Sequence, residues 1–129
     1  MSTPTRVLVV EDNPLNLKLV RDVLRHAGFD VVEARSGEDG IARALDCQPD
    51  IILMDLQLPG IDGTQAMRTI RSSPKRSTVP IIAVTAFAMS EDRERALSNG
   101  FDGYLSKPIS VRDLPRQITD FLSEGSGDD

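Results

Sequence analysis

Thiols, imidazoles and aromatic rings are scarce in this 129-residue chain. One cysteine, Cys47, excludes an internal disulfide and a cysteine-rich zinc site. One histidine, His26, excludes a multi-histidine metal centre, and a Ser/His/Asp triad would have to use it. Aromatic residues amount to 4% and tryptophan is absent, so stacking surfaces for bases are poorly supplied. No apolar run approaches membrane-spanning length, and Met1-Ser-Thr-Pro-Thr5 lacks the charged-then-apolar order of a secretory signal. Positive charge is in deficit, with 15 Lys plus Arg against 20 Asp plus Glu, which argues against nucleic acid as a partner. What is there is ordinary for one globular domain: 40% hydrophobic and 27% charged residues. The expectation is a cytoplasmic protein with no membrane and no nucleic-acid partner.

Short β-branched runs alternate with helical signals. Arg6–Val10, Asp30–Ala34, Asp50–Met54 and Pro80–Val84 read as strands, with Gly103–Leu105 a weaker fifth. Asn13-Pro14 reads as an N-cap and first helical residue. Leu15, Leu17, Leu19, Val20, Val23 and Leu24 supply apolar residues for a buried face, and Gly28 is the stop. Ser36-Gly-Glu-Asp39 resembles a capping box ahead of Ile41, Ala42, Ala44 and Leu45. Further helices are expected over Thr64–Ser72 and Ser90–Gly100, and a last one ends at Leu122. With Ser110 as its cap, Pro115 would cost a hydrogen bond; with Asp113 as cap, Pro115 falls at the second helical position and fits, which is the favoured start. The βα order, repeated five times, predicts a doubly wound α/β fold with a parallel sheet and helices on both faces. Residues 1–5 are expected as an N-terminal extension, 6–122 as the domain and 123–129 as a flexible acidic tail. Met1 and that tail read as native ends, hence a stand-alone chain.

Open α/β sheets bind ligands outside the C-terminal ends of their strands. Here those ends run into Glu11 and Asp12, Asp55, Thr85 and, after Ser106, Lys107. Like charges in one crevice raise each other's pKa or demand a cation, and a hard divalent ion suits oxygen donors. With Thr85 and Lys107 added, the set could stabilise a transferring phosphoryl group. Asp55, alone at a central strand end, is the better nucleophile, and the adjacent Glu11 and Asp12 suit metal. Taken singly, Asp12 could equally favour the helix starting at Pro14, and Asp55 could be a turn residue. An aspartate-nucleophile phosphatase would need a second acid where Gln57 stands. A flavin or nucleotide site would need a phosphate loop where Glu11-Asp12-Asn13-Pro14 repels phosphate.

The segments Val9-Val10-Glu11-Asp12-Asn13, Ile52-Leu-Met-Asp55, Leu58-Pro-Gly-Ile-Asp-Gly63, Val84-Thr85-Ala86 and Leu105-Ser-Lys107-Pro108 resemble the receiver domain of two-component response regulators, from Arg6 to about Leu122. Val84–Met89 with Ser106–Ser110 looks like stand-alone regulators of the DivK type and like receivers of hybrid histidine kinases. The resemblance implies a flavodoxin-like (βα)5 fold with strand order 2-1-3-4-5. It implies Asp55 as phosphoacceptor and Thr85 and Lys107 as phosphoryl-binding groups. It implies Mg2+, with Mn2+ as a substitute, on Glu11, Asp12, Asp55 and the backbone carbonyl of Gln57. It further implies a cis bond before Pro108 and a switch made of Thr85 and Tyr104. Implied partners are a histidine kinase or histidine phosphotransfer protein, and a downstream protein on the face of the fourth helix, fifth strand and fifth helix. No enzymatic output is implied beyond the domain's own phosphorylation and dephosphorylation. Gln57 and Phe87 are expected to slow hydrolysis of the phosphate. His26 reads as an exposed partner of a helix dipole, Cys47 as packing, and Arg68, Arg71, Lys75 and Arg76 as a solvated basic face.

Overall fold

Three strands are apolar almost throughout because both of their faces are covered: β1 (Arg6–Val10), β3 (Ile51–Asp55) and β4 (Ile81–Thr85). The structure is a computed structural model and describes residues 4–86 and 90–126. The remaining elements are α1 (Pro14–His26), β2 (Asp30–Ala34), α2 (Gly37–Cys47), α3 (Gly63–Arg71), a 3-10 turn (Pro74–Arg76), α4 (Ser90–Asn99), β5 (Gly103–Ser106) and α5 (Leu114–Ser126). The strands form one parallel sheet in the order β2-β1-β3-β4-β5, as the resemblance implied.

Alternate residues of each strand feed opposite cores. Val7, Val9, Leu53 and Ile82 pack with Leu17 and Leu24 of α1 and Leu114 and Ile118 of α5. Leu8, Val10, Ile52 and Met54 pack with Ala44 of α2, Met67 and Ile70 of α3, and Ala96 of α4. Each buried Val, Leu, Ile or Met side chain contributes roughly 1.5–3 kcal/mol relative to exposure. Among the described residues no helix is long and apolar enough to cross a membrane.

The helix starts follow their signals. Asn13 Oδ1 accepts the Leu15 and Asn16 amides, and Ser36 Oγ accepts the Asp39 amide. α5 begins at Leu114, so Pro115 is its second residue. Three expectations need correcting. The buried stripe of α1 is Leu17, Val20 and Leu24, whereas Leu15 and Leu19 are 78% and 48% exposed, because the helix turns them away from the sheet. Leu45 of α2 is likewise 46% exposed. α5 also continues past Leu122 to Ser126, so residues 123–126 are helical.

Three of the four basic side chains make specific bonds, and Lys75 is exposed as expected. Arg71 bonds the carbonyls of Val79, Ser77 and Gly100 and the carboxylate of Asp102. Arg68 donates to Asn99 Oδ1 at 3.1 Å, and Arg76 to the Ala44 carbonyl at 2.7 Å. Carbonyls at strand starts and helix ends lack ladder partners, and these guanidinium groups supply the donors. Arg6 works in the same way beside β2 and β3, donating to Asp30 and to the Cys47 carbonyl.

Candidate functional site

Backbone bonds carry the parallel ladder past the strand ends and fix the residues just beyond them. The amides of Glu11, Leu56 and Lys107 donate to the carbonyls of Ala34, Val84 and Thr85 at 3.0, 3.0 and 2.8 Å. Glu11, Asp12, Asp55, Thr85 and Lys107 therefore gather at one edge of the sheet. Carboxylate oxygens of Glu11, Asp12 and Asp55 lie within 4.8 Å of one another. Glu11, Asp55 and Thr85 are buried, and Asp12 is the most open of the acids.

Lys107 joins two of the acids. Its Nζ is 2.9 Å from both Glu11 Oε1 and Asp55 Oδ2. The other oxygens take backbone amides: Asn13 to Glu11 Oε2 at 3.1 Å, and Gln57 to Asp55 Oδ1 at 3.0 Å. Burial pushes the Glu11 carboxyl above its ordinary value, outweighing its bonds to Lys107 and the Asn13 amide, and the neighbouring Asp55 charge adds to the rise. Burial works to lower the Lys107 ammonium, but its bonds to Asp55 and Glu11 hold it above the usual lysine value. Carboxylates outnumber ammonium groups by three to one, and a carboxylate oxygen has lone pairs beyond those used here. This all-oxygen set fits a hard divalent cation.

Gly63 shows how tightly α3 abuts the acceptor. A Cβ there would lie 2.3 Å from the Asp55 carbonyl oxygen and 2.8 Å from Leu56 Cα. The Lys107–Pro108 peptide bond is cis. Tyr104 stands opposite Ala83 in the β4–β5 pair, half-buried against the α2–α3–α4 core. Phe87 lies outside the described residues.

Two clefts flank the acids. One of about 320 Å³ lies between α1 and the segment after β5 and is lined by Glu11, Leu19, Lys107, Pro108 and Ile109. The other, about 170 Å³, lies between α3 and α4 and is lined by Gln57, Thr64, Thr85, Arg95 and Asn99. Leu19 and Arg95 are not legible as site residues in the sequence: both sit mid-helix, where periodicity alone does not show that a residue reaches a strand end.

A family model described as the response regulator receiver domain matches residues 7–119. The chain belongs to the response regulator receiver family. It is 40% identical over 121 residues to the polar-differentiation response regulator DivK of Brucella anthropi, covering 94% of this chain and 98% of that protein. The receiver domain of a sensor histidine kinase of Pseudomonas aeruginosa superposes with a TM-score of 0.85 at 38% identity, over 93% of this chain and 98% of the other. That structure holds a magnesium ion coordinated in the active-site cleft. The chemotaxis response regulator CheY4 of Vibrio cholerae gives a TM-score of 0.87 at 25% identity, over 92% of this chain and 99% of the other. Receivers bind Mg2+ in an acidic pocket, and in this receiver Glu11, Asp12 and Asp55 form such a cluster.

Proposed function

We propose that this receiver accepts a phosphoryl group on Asp55 from a histidine kinase or histidine phosphotransfer protein, and signals by changing its protein contacts. The supporting observation is the setting of Asp55: a buried strand-end carboxylate with one oxygen on the Lys107 ammonium and the other on the Gln57 amide, beside two further acids. A carboxylate oxygen of Asp55 attacks phosphorus as the P–N bond to the donor imidazole breaks, and the leaving nitrogen keeps the electron pair. Lys107 and the Thr85 hydroxyl bind the transferred oxygens. Glu11, Asp12, Asp55 and the Gln57 carbonyl would hold Mg2+, or Mn2+ in its place, which neutralises charge on the phosphoryl group when bound.

The acquired charge draws Thr85 inward, and Tyr104 turns toward the space it leaves. That biases the α4–β5–α5 face toward a downstream protein, and a coupling of about 1–3 kcal/mol suffices to change partner affinity. Gln57 and Phe87 limit water attack on the acyl phosphate. The setting we assign is the cytoplasm, with the domain catalysing its own phosphorylation and dephosphorylation and no other reaction.

The test is intact mass after incubation with Mg2+ and acetyl phosphate. One added phosphoryl group is expected, absent in Asp55→Asn and absent with EDTA. An addition that persists in Asp55→Asn would overturn the assignment; no addition to the folded, Mg2+-loaded wild type would remove self-catalysed phosphorylation from small donors and leave either a strict need for the cognate kinase or a module that binds without phosphate.

A further inference from the structure

The loop from Leu56 to Asp62 carries Gln57, whose amide donates to Asp55 Oδ1 at 3.0 Å and whose carbonyl stands in the proposed Mg2+ set. Its apolar residues tie it down: Leu58 is buried and Ile61 is half-buried, both in the core with Ala44, Met67 and Ala96. Gly60 turns the chain at a φ of 76°, a conformation that glycine adopts without strain. The loop closes where the Gly63 amide donates to the Leu56 carbonyl at 3.2 Å.

Two glycines let helices close on this loop from either side. Gly63 is the first residue of α3. A Cβ there would run into the Asp55 carbonyl oxygen and would lie 2.8 Å from Leu56 Cα and 3.0 Å from the Asp55 carbonyl carbon. Gly37 is the first residue of α2. A Cβ there would lie 2.6 Å from Ile61 Cγ1 and 2.9 Å from the Ile61 carbonyl oxygen. Backbone atoms cannot turn away as the tip of a side chain can. Asp55 is the part least able to yield, because β3 pairs with β1 on one side and β4 on the other, and the Leu56 amide carries the ladder on to Val84. A side chain at position 63 therefore displaces the start of α3 and the loop, by several tenths of an ångström, rather than Asp55. Gln57 is then moved off the carboxylate it bonds.

We propose that Gly63 and Gly37 are positioning residues of the phosphoryl site. By carrying no side chain they let α3 and α2 clamp the loop between them, and so set where the Gln57 amide and carbonyl stand relative to Asp55. The proposal rests on Asp55 and the Gln57 carbonyl being parts of a Mg2+-dependent phosphoacceptor site. It makes α2, which lines neither of the two clefts at the acids, part of what tunes them.

The test titrates Mg2+ into the full chain by NMR and measures urea unfolding in EDTA on the same variants. Gly63→Ala weakens Mg2+ binding about tenfold, the scale expected when a group that orients a metal ligand is disturbed. Gly37→Ala weakens it less, because the nearer of its contacts is to a side chain. Gly103→Ala is the control for crowding: its Cβ would lie 2.5 Å from Phe121 Cε1, at the opposite edge of the sheet. It loses stability but keeps the Mg2+ affinity of wild type. In metal-free protein, the Gln57 amide resonance shifts in Gly63→Ala and stays in place in Gly103→Ala. Equal Mg2+ affinity in Gly63→Ala and wild type would overturn the proposal. So would a loss of affinity shared by Gly103→Ala, since that marks a general loosening of the fold. If Gly63→Ala does not fold, Gly37→Ala decides, and an affinity equal to that of wild type overturns the proposal. A wild type that binds no Mg2+ defeats the metal-site reading itself, whatever the variants do, and the proposal falls with it.

Discussion

At the N-terminal ends of the strands, the acids that face the sheet are met by arginines. Arg6 Nε bonds Asp30 at 2.7 Å and the Arg6 amide bonds Asp50 at 2.8 Å, while Asp102 takes both the Arg71 guanidinium and the Ile81 amide. At the C-terminal ends of the same strands, three acids lie together and one lysine bonds two of them. The two edges are separated by five-residue strands, about 16 Å. Asp30, Asp50 and Asp102 each take a bond from Arg6 or Arg71; at the second edge, three acids against one lysine suit a further cation. Holding the fold together and binding a charged ligand are thus assigned to opposite ends of the strands, and the apolar middle keeps them apart.

Removing the lysine that bridges two of the three acids tests this contrast most severely. Lys107→Met leaves Glu11 and Asp55 facing each other without it. Breaking a buried pair costs several kcal/mol, and allowance for the solvent that reaches Lys107 brings the expected loss to about 2 kcal/mol in EDTA. Urea unfolding should show that loss, and saturating Mg2+ should recover part of it. A variant as stable as wild type in EDTA would mean the upper edge is not strained by like charge.

At the lower edge, Arg71→Ala strips donors from the Val79 and Gly100 carbonyls and from Asp102. A loss of about 1–2 kcal/mol is expected, the same with and without Mg2+. A Mg2+-dependent loss would show that the two edges communicate.

The smallest effect concerns pH. The folded Glu11 carboxyl titrates above its ordinary value, chiefly through burial. Its contribution to stability is complete below the ordinary glutamate value and is lost as pH rises through the raised folded value. In metal-free protein, Glu11→Gln should therefore gain on wild type as pH climbs from the acid range toward neutrality. Parallel curves from the two proteins would refute the raised titration.

Much of this was legible because strand and cap signals are local. Arg6–Val10 is β1 residue for residue, and Asn13-Pro14 opens α1 as its capping chemistry implies. The acids could be placed together because a parallel sheet puts successive strand ends on one side. What was not legible depends on rotation about helix axes and on long side chains. Leu15 and Leu19 fit an apolar stripe by composition, but the turn of α1 buries Leu17, Val20 and Leu24 instead. Arg71 looked solvated because its partners lie 6 to 31 residues away, in loops whose meeting no local pattern announces. Arg95 is remote in sequence from Thr85 and Gln57 and meets them across a cavity.

The anchoring of α4 by Arg68 and Arg71 has a kinematic consequence. A ten-residue helix is about 15 Å long, and this one is riveted at Asn99 and Gly100. Any tilt of the helix about that end would displace its residues in proportion to their distance from it. Arg95 is about one turn from that end and Ser90 more than two, so a displacement of Arg95 is roughly doubled where the helix begins.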